Sequence, residues 1–136
     1  MRIVNTFDNS NIFKYRNICR KIHKENKKLV GLVDDHHVIP QSLKNHELLK
    51  LTNFNIDQNY NLCIMPNSMK TIELLNLKEN TLIHNGGHLK YNTYVKNQLN
   101  IINKYKSYDQ KCYKLWLFLH YLRKNLRFNE DNIPRN

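Results

Sequence analysis

Hydrophobic positions divide the chain into helical and extended stretches. In "NSNIFKYRNICRKIHKENKK", Ile12, Tyr15, Ile18, Cys19 and Ile22 fall three and four residues apart, which predicts an amphipathic helix over about 11–28 with a basic outer face. Asn9 to Asn11 offer its cap. "KLVGLV" reads as a short strand leading into "VDDHHVIPQSL", where Pro40 ends regular structure because it lacks an N–H and restrains Ile39. "SLKNHELLKL" predicts a short helix, and "NIDQNYNLCIMPN" a turn followed by a strand from Leu62 to Met65, stopped by Pro66. "SMKTIELLNL" is consistent with a turn or two of helix.

Two stronger helical patterns follow. From His88 onward, Leu89, Tyr91, Val95, Leu99 and Ile102 lie broadly on one face. Over about 108–127, Leu115, Leu119 and Leu122 recur at helical spacing with Trp116 beside them, the most apolar segment of the chain. "NEDNIPRN" closes it as a frayed tail. The whole reads as α+β and mostly helical, one domain over 1–136 in which a strand-bearing core of about 30–105 is flanked by N- and C-terminal helices.

Composition adds a partner. Twenty-two Lys+Arg against eleven Asp+Glu leave a net charge of +11, with a pI of about 9.7, which favours nucleic acid first and an anionic membrane surface second. Part of the excess can be compositional drift, since the chain lacks alanine and is rich in Asn, Lys, Ile and Tyr, as an AT-rich genome would produce. Cys19, Cys63 and Cys112 form no C-x-x-C pair, so neither a disulfide framework nor a cysteine zinc site is expected. No basic-then-apolar leader opens the chain, and "LWLFLHYL" is far short of a membrane span. A soluble, intracellular protein with no membrane partner is expected.

Candidate chemistry concentrates in three places. Asp34, Asp35, His36 and His37 stand side by side before Pro40, Asn61 precedes the strand "LCIM", and His84 and His88 flank "NGG", with Asn92 four residues further on. Residues four apart share a helix face, so His88 and Asn92 can aim at one ion, and Gly86 and Gly87 place the helix start near Gly87 with His84 on the approaching loop. On an extended segment neighbouring side chains diverge, so one histidine can face a metal and the other a water. Imidazole suits proton abstraction near neutral pH, and a divalent ion held by imidazoles supplies a Lewis acid, which together serve phosphodiester hydrolysis.

"HHVIP", "NYNLCIMPN" and "HNGGHLKYNTYV" resemble, in order and spacing, the AHH-type nucleases of the HNH superfamily, also called His-Me finger or ββα-metal endonucleases. The resemblance spans roughly residues 33 to 100. It implies a β-hairpin with a helix across it, gripping one divalent ion. It makes His37, three residues before the proline, the general base and His36 a metal ligand. Asn61 would brace the loop that orients the base, and His88 with His84 or Asn92 would complete the metal shell. The alanine of the family pattern is Asp35 here, either a modifier of His36 or a ligand itself. Leu89 stands where the family often has proline.

The expectation is therefore an endonuclease of low sequence specificity, dependent on one divalent ion (Mg, Mn, Zn or Ni) and acting on DNA in preference to RNA. Lys44, Lys90 and Lys96 are candidates to touch phosphates, against a reading as generic solvated charge. His46 reads as a helix-start residue, and His23 and His120 as surface or core-edge residues. The Trp116 helix is most simply core, with apolar width enough for a homodimer contact. Two other readings compete: a basic architectural protein that binds nucleic acid without cutting it, and a module that docks a partner through its last helix.

Overall fold

The computed structural model describes residues 18–77, 83, 88–128 and 131–134. Helix α1 spans Ile18–Asn26, and its expected start and the Asn9–Asn11 caps lie outside the described residues. Its end is a left-handed cap: Lys28 takes φ 56°, and Leu29 N donates to Lys24 O at 2.8 Å. Gly31 then turns at φ 81°, a conformation that favours glycine. Strand β1 consequently runs over Val33–His37, whereas the sequence pattern places a strand at "KLVGLV". The apolar residues before Val33 belong to the turn.

Strand β2, Leu62–Pro66, pairs antiparallel with β1 in the register Val33↔Pro66, Asp34↔Met65, Asp35↔Ile64, His36↔Cys63 and His37↔Leu62. Between the strands the chain makes a 3-10 turn after Pro40, Gln41–Leu43, and helix α2, Glu47–Leu51. His46 caps α2 as expected: Nδ1 accepts from Leu48 N at 3.1 Å, and Nε2 lies 2.7 Å from Asn100 Oδ1, tying the cap to the later helix. Helix α3, Met69–Leu74, starts on Ser68, whose hydroxyl accepts from Thr71 N at 3.2 Å. Helices α2 and α3 both end on asparagines in the left-handed region, Asn53 at φ 56° and Asn76 at φ 53°, with the following N–H reaching back to Leu49 and Ile72. Some of the asparagine excess thus has a structural use.

Helix α4 spans Leu89–Ile102 and α5 spans Tyr108–Phe128. The core joins Val38, Ile39, Leu48, Leu49 and Met65 to Tyr91, Val95 and Leu99 of α4 and Leu115, Leu119 and Leu122 of α5. These are the residues that recur at three- and four-residue spacing, so apolar burial fixes both helices in place. Trp116 is half-buried at the core edge, its ring 5.6 Å from that of Tyr60 and 4.1 Å from that of His120. The tail is not frayed throughout: Ile133 is buried in the core, and Asp131 N donates to Asn125 Oδ1 at 3.0 Å. The described residues thus form an α+β fold, a two-stranded antiparallel sheet with helices. No helix among them is long and apolar enough to cross a membrane.

Candidate active site

Strand alternation separates the adjacent histidines. Successive side chains of β1 point to opposite faces, so His36 and His37 leave the strand in different directions. His36 is buried, on the side where α4 begins: its ring centre lies 5.5 Å from that of His88, edge-on at 88°, and 5.7 Å from that of Tyr91. The Tyr91 hydroxyl donates to Val38 O, the first carbonyl after the histidine pair. Burial holds the Tyr91 phenol well above its ordinary pKa of 10.0, so it remains a donor. His88 is the N-cap residue of α4 rather than a member of its first turn.

His37 meets a different partner. Its Nε2 lies 2.8 Å from Asp57 Oδ1, with the histidine side chain 11% exposed and the aspartate 38%. Asp57 stands in the turn before Asn61, where its N–H donates to Asn55 Oδ1 at 3.0 Å.

Asn61 is fully buried, and its amide is used throughout. Oδ1 accepts from Ile39 N at 2.7 Å, while Nδ2 donates to Ile39 O at 3.0 Å and to Ile56 O at 2.8 Å. Its own carbonyl accepts from Val38 N at 2.8 Å. One side chain therefore binds the segment leaving the histidines to the turn carrying Asp57. From outside, Arg123 of α5 donates to Tyr60 O at 2.7 Å and Leu62 O at 2.9 Å, the carbonyls on either side of Asn61.

His84 lies outside the described residues. Asn92 sits one turn into α4, its N–H donating to His88 O at 2.7 Å and its amide 3.5 Å from Ser42 Oγ. Asp35 points to the face opposite His36, where its carboxylate meets Lys24 Nζ at 3.0 Å. Lys44, Lys90 and Lys96 are all exposed. Sequence reasoning missed Asp57, Lys24, Arg123 and the Tyr91 hydroxyl. An acid in a turn four residues before Asn61 was the available signal for Asp57, and nothing in the sequence tied it to His37.

Comparison with known families gives the class first, a nuclease of the HNH/ENDO VII superfamily. Within that class the chain belongs to the AHH family, whose model, described as a nuclease family with conserved AHH, matches residues 19–117. The Ala-His-His of that description is Asp35-His36-His37 here. No curated protein and no solved structure matches the chain.

Nucleases of this superfamily generally use a divalent metal ion. Two imidazoles that share a tetrahedral ion at a metal–nitrogen distance of about 2.0–2.1 Å have ring centres about 5 Å apart. His36 and His88 meet that requirement at 5.5 Å, and Nε2 of each is buried. Among the described residues no group of three or more His, Cys, Asp and Glu converges, so these two imidazoles would not by themselves complete a metal site. They fit the metal as far as they go.

Proposed function

We propose that this chain is a divalent-metal-dependent endonuclease that hydrolyses phosphodiester bonds, in DNA ahead of RNA, with little sequence preference. The observation that carries this reading is the division of the adjacent histidines: His36 turns toward His88, and His37 turns to the other face of β1. Neither ring has to do both jobs. His36 and His88 would hold the ion, with His84 or Asn92 completing the set. Bound there, a divalent ion supplies Lewis-acid stabilisation of the charge that develops on the phosphate and on the leaving oxygen.

His37 acts as general base. It takes a proton from water as the water oxygen attacks phosphorus, and the bond from phosphorus to the leaving sugar oxygen breaks. Asn61 acts through the backbone by keeping the strand end and the turn in register. The exposed Lys44, Lys90 and Lys96 contact phosphates and carry no base information, which agrees with low sequence preference. The net charge of +11 supports the polyanionic substrate.

The test is nicking of a supercoiled plasmid, and of an RNA of similar length, with Mg, Mn, Ni or Zn added. Wild type is expected to cleave with at least one metal. His37→Ala is expected to lose at least a hundredfold in rate, of the order that general acid–base catalysis contributes, while retaining metal affinity. His36→Ala is expected to lose metal affinity as well. Intact DNA and RNA under every metal overturns the reading, as does full activity in His37→Ala.

A further inference from the structure

We infer that Asp57 is the positioning residue for His37, fixing the ring so that Nδ1 is the nitrogen that receives the proton from water. The inference rests on the nuclease reading. An ionised carboxylate only accepts hydrogen bonds. For a neutral His37 the 2.8 Å contact between Nε2 and Asp57 Oδ1 therefore requires the hydrogen on Nε2, which leaves the lone pair on Nδ1.

The pairing is built in rather than incidental to two mobile side chains. His37 is the last residue of β1, held by the ladder opposite Leu62. Asp57 is held by the turn bond from its own N–H to Asn55 Oδ1 and by the preceding carbonyl, Ile56 O, which accepts from Asn61 Nδ2 at 2.8 Å. The same Asn61 amide holds Ile39, two residues beyond His37. One buried side chain thus sets the distance between the two backbones that carry the dyad. With the side chain of His37 only 11% exposed, few ring orientations remain to it.

In the reaction the water proton goes to Nδ1 and the water oxygen to phosphorus. The resulting imidazolium carries a hydrogen on each nitrogen, and its Nε2–H stays bonded to Asp57. No proton passes to the carboxylate, which orients the ring.

The test reads the tautomer directly. Nitrogen-15 NMR of the full chain without added metal, at a pH above which the ring signals no longer move, identifies the His37 signals by their loss in His37→Gln. Wild type is expected to show the Nε2–H form, and Asp57→Ala to lose that preference. Asp57→Asn, whose Oδ1 can still accept from Nε2–H, is expected to keep it. With metal, Asp57→Ala should lower kcat about tenfold to a hundredfold with little change in KM, and Asp57→Asn should recover most of the loss. An Nδ1–H tautomer in wild type overturns the inference, as does Asp57→Ala at wild-type kcat in a folded protein. The two proposals fail separately. An active wild type indifferent to Asp57 sinks this one alone, whereas a wild type with the expected tautomer that cleaves nothing sinks the nuclease reading and the positioning role with it.

Discussion

Asn61 and Ile39 exchange two hydrogen bonds, Ile39 N to Asn61 Oδ1 and Asn61 Nδ2 to Ile39 O, so a side-chain amide imitates a strand neighbour where β1 has ended. Ile39 is fully buried, and the segment that follows the paired histidines has no other strand to pair with among the described residues. The amide also takes Ile56 O, and so joins two chain segments.

Asn61→Ala leaves a buried N–H and two carbonyls to be satisfied elsewhere. Each such group costs about 1–3 kcal/mol, so a loss of roughly 3 kcal/mol is expected in urea unfolding. Asn61→Asp is expected to be no better. A carboxylate can accept from Ile39 N, but it sets an acceptor against two carbonyls. Wild-type stability in either variant would show that Asn61 is not the brace.

Tyr91 makes a second prediction, with a pH signature. Its hydroxyl donates to Val38 O from a buried position, so Tyr91→Phe is expected to cost about 1–2 kcal/mol at neutral pH. Burial raises the phenol well above 10.0 in the folded protein. Below pH 10 the phenol is protonated in both states and its contribution is complete. Above that, the unfolded chain ionises while folded Tyr91 does not, and stability falls by about 1.4 kcal/mol per pH unit. Wild type should therefore lose stability above pH 10 more steeply than Tyr91→Phe. Parallel curves would remove Tyr91 as the cause.

How far the sequence reached depended on whether a residue's role is local. Leu115, Leu119 and Leu122, or Tyr91, Val95 and Leu99, declare a buried face by spacing alone, and that face is buried. The alternation of His36 and His37 follows from an extended backbone, so their divergence was legible as soon as the segment was read as a strand. The turn before Val33 was not, because a lysine at positive φ gives no compositional signal. Asp57 was hidden for a different reason. It lies 20 residues from His37, and their contact exists because Asn61 closes the intervening loop. Ile133 reads as tail until the fold buries it in the core and Asn125 tethers the segment through Asp131 N.

Lys24 and Asp35 yield a third prediction. Their contact at 3.0 Å joins α1 to the strand carrying the histidines, with side chains 19% and 9% exposed. Asp35→Ala restores the family's residue and strands the Lys24 charge. A double-mutant cycle with Lys24→Ala is expected to give a coupling of about 1 kcal/mol, the upper end for ion pairs near a surface. Because strand geometry points Asp35 away from His36, Asp35→Ala should retain cleavage within a fewfold of wild type. A hundredfold loss with unchanged stability would instead tie Asp35 to the function of His36.

The last prediction concerns where nucleic acid lies. If phosphates are held beside the site, the lysines near the start of α4 contribute and those beyond its far end do not. Helix α4 has 14 residues, which at 1.5 Å per residue is about 21 Å, roughly two and a half times the screening length of about 8 Å in physiological salt. Lys90 stands in its first turn, and Lys106 lies in the connection that follows its last, both exposed. Binding of the His37→Ala protein to duplex DNA is expected to weaken steeply with salt. For each phosphate contact removed, the slope of log affinity against log salt falls by about 0.9. Lys90→Ala and Lys44→Ala should each show that change, Lys96→Ala a smaller one, and Lys106→Ala none. Equal effects at Lys90 and Lys106 would mean that the positive charge acts diffusely over the whole surface, and no track past the histidines would be defined.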